Sequence, residues 1–320
     1  MIRITLPSEF TLPETCNVLD FTVLSPSATC SITTDLILIT DKLASGYDPE
    51  SDGPITFTID SVLMPKSSAP TGVFRFETQV ISQYDCIAYT VDRMSDNNLL
   101  TATYGDLLSV SVTPEVTVAF TETKYTFELV PSHDILKNGK IIIQIPDENR
   151  ILNPTVTRNE FEVISGLSVD AYASVGDVIT IHNGFPVDDF PAGSLVSFSL
   201  GHIMNPISLQ QTSTFKIYTA QADGIYFLDG RTEGVTIQME TTRELTSVDV
   251  SPLSFLNSDP NTSISVTMVA SSPINSGDQI HMTLPAELAL TDLACSGETA
   301  LQVDLDCSLI DGVIILEVQP

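Results

Sequence analysis

Hydrophobic and polar residues alternate along most of this chain with a period of two. Runs such as KYTFELV (124–130), GKIIIQI (139–145) and SLVSFSL (194–200) are rich in Val, Ile, Thr and Phe and are bounded by turn-forming residues. Such alternation is typical of short β-strands with one buried face. The most helix-like segment, PAELALTDLA at 285–294, predicts one short turn of helix and no more. The pattern therefore predicts an all-β fold.

One of these strands occurs three times at a fixed interval. It reads IRITLPSEF at 2–10, IIIQIPDEN at 141–149 and IHMTLPAEL at 280–288. The interval from Pro7 to Pro146 is equal to the interval from Pro146 to Pro285. An interval that recurs in this way indicates tandem copies of one structural unit.

Two further segments repeat at nearly this interval. Pro206 of HIMNP follows Pro65 of SVLMP, and SVDVSP (247–252) follows SVSVTP (109–114), with offsets that differ from the first by no more than two positions. Loop insertions account for such small drifts. We therefore predict three copies, at 1–105, 106–243 and 244–320, with a period of about 139 residues.

The strand pattern also predicts how each copy folds. Short alternating strands with turn signals about every ten residues indicate antiparallel sheets packed face to face, an immunoglobulin-like β-sandwich. A closed barrel is the alternative. The chain contains no Trp, so the buried tryptophan of antibody domains is absent and the prediction concerns the architecture alone.

The first and last copies are expected to be incomplete. Aligned on the proline strand, Met1 corresponds to Lys140, and Pro320 corresponds to position 42 of the first copy. A sandwich short of a strand exposes apolar side chains and unpaired backbone groups. Either further polypeptide or a strand added by a neighbouring copy can satisfy them. We expect the first strand (Met1–Pro7) and the last strand (Val313–Pro320) to lack a sheet neighbour within this chain. The predicted assembly interface comprises Met1, Ile2, Ile4 and Leu6 in the first strand and Val313, Ile315, Leu316 and Val318 in the last.

The cysteines follow the repeat. Cys16 and Cys30 lie in the first copy, and Cys295 and Cys307 lie at matching positions of the third, whereas residues 155–168 of the second copy contain no Cys. Joint presence and joint absence indicate a disulfide in each of the two copies. A zinc site is the alternative, but the chain has no CxxC motif. Because disulfides persist in oxidising compartments, we expect an extracellular protein. Cys86 has no matching partner in this pattern. It is a buried thiol, an unpaired surface residue or one half of an intermolecular disulfide.

Composition disfavours several classes of partner. The 320 residues include 41 acidic and 13 basic side chains, which give a net charge of −28. A surface this negative repels nucleic acid and anionic lipid headgroups. No apolar run approaches the roughly 18 residues that span a bilayer, and the first ten residues lack the features of a signal peptide. We expect neither nucleic-acid binding nor a membrane span.

The chain also lacks recognisable catalytic motifs. No HExxH, GxSxG, P-loop or GxGxxG sequence occurs, and adjacent carboxylates such as Asp188 and Asp189 arise freely in so acidic a chain. We therefore expect no enzyme activity, no catalytic residue and no cofactor.

Two kinds of modification or ligand remain open. Asn261, in Asn-Thr-Ser, is the single N-glycosylation sequon, so we predict a glycan there. The acidic loops YDPESDGP (47–54) and SDNN (95–98) are candidates for Ca²⁺, although solvated turns are favoured because neither matches a complete calcium motif.

The IxIxxP strand, the paired cysteines and the LMP or MNP strand together resemble the tandem immunoglobulin-like repeats of extracellular microbial fibre and surface glycoproteins, such as protist surface arrays and pilus-like filaments. The resemblance covers the whole chain and implies an assembling structural role. We expect a subunit of an extracellular filament or cell-surface fibre, a homo-oligomer joined head to tail by donor-strand complementation or covalent continuation. The alternative is an adhesin or carbohydrate-binding surface module, whose loops would form the site.

Overall fold

A computed structural model describes residues 1–20, 22, 24, 28–33, 35–40, 47–48, 50–84, 86–96, 99–152, 160–176, 178–254, 263–285, 287–288, 293–297 and 306–318. Its regular elements are β-strands, almost all paired in antiparallel fashion. The all-β prediction is confirmed. Within these residues there is no helix of the length and apolarity needed to cross a bilayer.

The first sheet is formed by residues 2–96. Its strands and a small adjoining pair are β1 (Ile2–Thr5), β2 (Val18–Leu19), β3 (Thr29–Thr33), β4 (Leu36–Thr40), β5 (Thr58–Ile59), β6 (Phe74–Ile81) and β7 (Ala88–Asp96). The sheet order is β3-β4-β1-β6-β7, and β2 pairs with β5. Ile4 on β1 and Ile37 on β4 lie opposite each other and are buried, with Ile39 and Leu24 beside them. Alternate residues of the proline strand thus form the core.

Residues 105–231 form two larger sheets. Their strands are β8 (Gly105–Asp106), β9 (Ser109–Pro114), β10 (Glu122–Val130), β11 (Lys140–Gln144), β12 (Arg150–Ile151), β13 (Phe161–Ser165), β14 (Tyr172–Val175), β15 (Ile179–His182), β16 (Val196–Met204), β17 (Lys216–Ala220) and β18 (Phe227–Arg231). One sheet has the order β12-β16-β10-β9, with β13 also on β16, and the other has the order β14-β15-β11-β17-β18-β8. The short pair β8–β18 is parallel.

Aromatic side chains join these two sheets. The Phe127 ring, on β10, stacks on Phe198 of β16 with ring centroids 5.5 Å apart. It also meets Phe215, which directly precedes β17 of the other sheet, at 6.3 Å. All three rings are fully buried. The contact across the sheets gives this part of the chain the face-to-face packing of a sandwich.

The described residues after 246 form β19 (Ser247–Pro252), β20 (Ile264–Val269), β21 (Gln279–Thr283), β22 (Asp306–Ile310) and β23 (Val313–Glu317). β19 pairs with β20, and the remaining strands have the order β21-β23-β22.

The same strand order recurs along the chain. The order β14-β15-β11-β17-β18 reproduces β3-β4-β1-β6-β7, and β22-β23-β21 reproduces its first three strands. The cross-strand pairs match as well: Ile4 with Ile37, Ile143 with Ile179, and Met282 with Ile314. Each proline strand therefore has an equivalent place in its sheet. The fixed period as a domain repeat stays a prediction.

The chain divides into two compact units. One comprises Met1–Glu115, Thr123–Ile203 and Thr212–Ile237, and the other comprises Val116–Glu122, Met204–Gln211 and Gln238–Pro320. The first unit contains the sheets of residues 2–96 and of residues 105–231 together. The predicted boundaries after residues 105 and 243 stay predictions.

Replacing the central ring of the sandwich tests this packing. Phe127→Ala should lower the free energy of unfolding by about 3–5 kcal/mol, because it removes buried apolar surface and leaves a cavity. Val169→Ala is the control, since Val169 is 86% exposed. Denaturant unfolding followed by circular dichroism measures both. Equal stability of the two variants would contradict the buried position of Phe127.

Candidate assembly surfaces

The first strand lies inside its sheet. β1 pairs with β4 along one edge and with β6 along the other. The Met1 ammonium donates to the Gln79 carbonyl at 3.0 Å, and the Gln79 N–H donates to the Met1 carbonyl at 2.8 Å. Of the predicted interface residues, Ile4 is buried, and Met1, Ile2 and Leu6 are half-buried. The expectation that this strand lacks a sheet neighbour is wrong, because β6 of the same chain supplies it.

The last strand is also paired on both sides. β23 lies between β21 and β22. Beyond its end, the Val318 N–H donates to the Asp278 carbonyl at 2.9 Å, and the Gly277 N–H donates to the Val318 carbonyl at 2.8 Å. The predicted interface residues Val313, Ile315, Leu316 and Val318 are half-buried. The expected missing neighbour is wrong here too, because the turn at 311–312 brings β22 alongside. A role of any of these residues in assembly stays a prediction.

An apolar surface does lie exposed on the hairpin β19–β20. Six apolar residues form three cross-strand pairs: Val248 with Met268, Val250 with Val266, and Pro252 with Ile264. Opposed and alternate residues of an antiparallel pair point to the same side, so these six share one face. Val248 is 54% exposed, Val250 53% and Val266 39%. Contiguous apolar surface of this kind marks interaction sites.

The equivalent face of the hairpin β9–β10 is core. Its cross-strand pairs are Val110 with Leu129, Val112 with Phe127, and Pro114 with Tyr125. Tyr125, Phe127 and Leu129 are fully buried. One pattern of residues is therefore interior at one place in the chain and surface at another.

A buried carboxylate ties the turn after β10 to β18. Asp229 is fully buried, and its Oδ2 accepts the backbone N–H groups of Ser132 and His133, each at 3.0 Å. Its Oδ1 lies 2.5 Å from Ser132 Oγ and 2.7 Å from His133 Nδ1. In a hydrolase triad the imidazole stands between the hydroxyl and the carboxylate, whereas here Ser132 bonds to the carboxylate directly. The cluster holds a turn in place and compensates for the burial of a charge.

Sequence reasoning missed this cluster. Ser132 and Asp229 are 97 residues apart in the chain, so no local motif contains both. The tight fit is visible at Gly105, where an added Cβ would lie 2.6 Å from the His133 ring and 2.7 Å from Asp229 Oδ1. Only strand pairing brings these positions together.

Residues 66–68 are bound along β18. The Ser68 N–H donates to the Phe227 carbonyl, and the Phe227 N–H donates to Ser68 Oγ, both at 2.8 Å. Gln221 Nε2 donates to Ser67 Oγ at 2.7 Å. Lys66 Nζ lies 3.4 Å from the Asp134 carboxylate. Within the first unit, hydrogen bonds therefore hold residues from the 1–105 segment against residues from the 106–243 segment.

Hydrogen bonds shift the pKa of two surface carboxyls. The Ala192 N–H lowers the pKa of Asp134, with a smaller contribution from Lys66. The Ser213 N–H lowers the pKa of Glu148. Because the folded-state pKa lies below the unfolded one, both groups contribute stability that is lost as the pH falls through their folded-state pKa.

The pKa values of Tyr125 and His182 are shifted for a different reason. Burial raises the pKa of the Tyr125 phenol, whose Oη accepts a hydrogen bond from Asn149 at 2.9 Å. Burial, with the charge of Lys140, lowers the pKa of His182. In both cases desolvation disfavours the charged form.

The cysteines are paired as two disulfides. Cys16 is bonded to Cys30, on β3, and Cys295 is bonded to Cys307, on β22. β3 and β22 are equivalent strands in the recurring sheet order. Cys86 is exposed and free.

Carboxylates of the acidic loop at 47–54 accept hydrogen bonds from backbone N–H groups of the same loop. Asp52 accepts the Asp48 N–H at 2.8 Å, and Asp48 accepts the Glu50 N–H at 3.1 Å. No group of three or more His, Cys, Asp or Glu residues suited to a metal ion occurs in the described part of the chain. Asn97, Asn98 and the sequon residue Asn261 lie outside the described residues, so the Ca²⁺ and glycan predictions stay predictions.

Known proteins resemble this chain only distantly. No protein-family model matches it, and no curated protein matches it in sequence. Among solved structures, it is similar to a collagen adhesin from S. aureus (13% identity, 84% of each chain covered, TM-score 0.25). It is also similar to a serine-rich repeat adhesion glycoprotein from Streptococcus agalactiae (11% identity, 73% of this chain and 83% of that chain covered, TM-score 0.21). A third is the C-terminal domain of an antigen I/II-family protein from Streptococcus pyogenes (10% identity, 76% and 84% covered, TM-score 0.23). Such TM-scores establish neither a shared fold nor a shared function.

Removing the buried carboxylate tests the tie between the turn and β18. Asp229→Ala should lower the free energy of unfolding by about 3 kcal/mol, because the half-buried N–H groups of Ser132 and His133 and the Ser132 hydroxyl lose their acceptor. Asp188→Ala, at an exposed aspartate, is the control. Amide hydrogen exchange at Ser132 and His133 should also speed up in the first variant. Unchanged exchange at both amides would show that Asp229 does not hold the turn.

Thiol labelling tests the disulfide pattern. Iodoacetamide should modify one cysteine of the unreduced protein, Cys86, and all five after reduction. In the Cys86→Ser variant no cysteine should react before reduction. Mass spectrometry counts the adducts. More than one adduct on the unreduced protein would contradict at least one disulfide.

Proposed function

We propose that this chain is a structural subunit of an extracellular filament or cell-surface fibre in which copies join head to tail. The proposal rests on the exposed apolar face of β19–β20, formed around Val248, Val250 and Val266, whose counterpart on β9–β10 is core. Apolar sheet surface in water favours association with whatever covers it. A second copy of the chain carries a sheet of the kind that covers this hairpin pattern, so it is a suitable partner.

The charge of the chain supports a linear arrangement. With a net charge of −28, the flanks of neighbouring filaments repel each other, over a range of about 8 Å at physiological ionic strength. Apolar contact at a defined face is less affected by salt. Self-association is thereby directed to the apolar faces, and sideways bundling is disfavoured.

Two further features support an extracellular location. The disulfides Cys16–Cys30 and Cys295–Cys307 persist in oxidising surroundings. The predicted glycan at Asn261 belongs to the same proposal, since N-linked glycans are added to secreted chains.

The test is the assembly state of the purified protein. Negative-stain electron microscopy and sedimentation velocity should show linear polymers that grow with protein concentration and persist in the Cys86→Ser variant, which excludes bridging through the free thiol. A monodisperse monomer over the whole concentration range would refute the proposal. Monomers that bind glycans on an array would instead favour the adhesin or carbohydrate-binding alternative.

A further inference from the structure

We infer that Asp92 and the apolar side chains beside it form an acceptor site for the β19–β20 hairpin, and for the following turn at Ser271 and Ser272, of a second copy of this chain. The inference rests on the proposed head-to-tail assembly and identifies its two contact surfaces. The 105–237 region supplies the internal template for both.

The acceptor site is identified by comparing the strand register around Asp92 with that around Asp229. Thr78 on β6 lies opposite Asp92 on β7, as Thr219 on β17 lies opposite Asp229 on β18. The threonine hydroxyl accepts the aspartate N–H in both pairs, at 3.1 Å for Asp92 and 3.0 Å for Asp229. Thr78 Oγ1 also lies 2.9 Å from Asp92 Oδ2. Asp92 is therefore the counterpart of the buried Asp229, yet it is exposed.

Apolar side chains lie beside this carboxylate. One concavity is lined by three apolar residues, Ile2, Phe76 and Met94, and by the polar residues Glu77, Thr78, Asp92 and Arg93. Met94 is 66% exposed, and Ile2 and Phe76 are half-buried. Their counterparts in the template sheet include Ile141 and Ile217, which are fully buried.

The donor segment is identified by comparing the sequence after β20 with the sequence after β10. The turn PSHD (131–134) that binds Asp229 recurs as ASSP (270–273), one proline-strand interval further along the chain and directly after β20. Ser271 thus corresponds to Ser132, and Ser272 corresponds to His133. Both positions keep the backbone N–H groups that a carboxylate accepts in the template. Ser271 Oγ donates to the Glu244 carbonyl, so docking exchanges that bond for one to Asp92.

The segment that precedes each hairpin shows the same contrast in burial. Leu107 precedes β9 and is fully buried, while Leu245, which precedes β19 at the equivalent position, is 48% exposed. The donor thus presents Leu245, Val248, Val250 and Val266 on its surface. Docked as in the template, these apolar groups lie against the sheet that contains Ile2 and Phe76. Both partners lose exposed apolar surface, which favours association.

Site-directed crosslinking tests the contact. One protein carries Asp92→Cys and the other Ser271→Cys, each with Cys86→Ser and a tag of different mass. In the template, Ser132 Oγ and Asp229 Oδ1 are 2.5 Å apart, so a short thiol-specific crosslinker should join the two proteins when they are mixed. Because Asp92→Cys removes the carboxylate and weakens docking, the two proteins are mixed at about a hundredfold the concentration at which wild type associates. The control replaces Ser271→Cys by Ser251→Cys, on the polar face of β19, and should give no mixed dimer.

A second measurement compares self-association of variants with wild type. Asp92→Ala and Val266→Asp should each weaken association by about ten- to a hundredfold, because one removes charge-assisted hydrogen bonds and the other buries an unpaired charge. Asp35→Ala, at an exposed turn of the same sheet, should associate as wild type does.

The outcomes separate this inference from the proposed function. A wild-type monomer refutes the proposed function. If wild type associates but the crosslink is absent or equal to the control, or if the variants associate normally, the inference is overturned and the proposed function stands. A closed dimer in which the crosslinker joins positions 92 and 271 keeps the inference and contradicts the fibre.

Discussion

A β-hairpin with one apolar face is stable in water only where something covers that face, and this constraint governs the whole chain. Alternation with period two places every second side chain on one side. In the 105–237 region that side is filled by Phe127, Phe198 and Phe215 across two sheets. At β19–β20 the same alternation leaves Val248 and Val250 on the surface. Identical local structure thus has opposite consequences, depending on what lies opposite.

Burial of the hairpin in the template depends on one polar contact as well. A carboxylate without partners would be costly inside a sandwich, and Asp229 avoids that cost because the turn after β10 offers it two N–H groups and a hydroxyl. Apolar packing gives the hairpin affinity for the sheet, while Asp229 specifies its register. A hairpin displaced by one residue would present its polar face and leave the carboxylate unpaired.

The sequence predicted strand positions well and strand partners poorly. Alternation and the repeated proline strand placed β1, β11 and β21 correctly, and the all-β class followed. The pairing of β1 with β6 was not predictable, because the two strands are far apart in the chain and no periodicity records their pairing. For the same reason, the alignment suggested open edges at β1 and β23, where the structure has paired strands. The Asp229 cluster was not predicted, because its residues are brought together only by folding.

In the proposed fibre, each chain carries two complementary surfaces at different places, the acceptor around Asp92 and the donor hairpin β19–β20. The carboxylate of Asp92 can accept one turn only, so each acceptor takes one donor, and a molecule with one of each forms a linear array or a closed ring but no branched aggregate. Lateral growth would have to overcome the repulsion of a net charge of −28 on every copy. Because apolar burial is non-directional, polar groups and charge must set the geometry. In the proposed fibre, affinity therefore comes from the apolar face of β19–β20, orientation comes from Asp92, and the acidic surface limits the width.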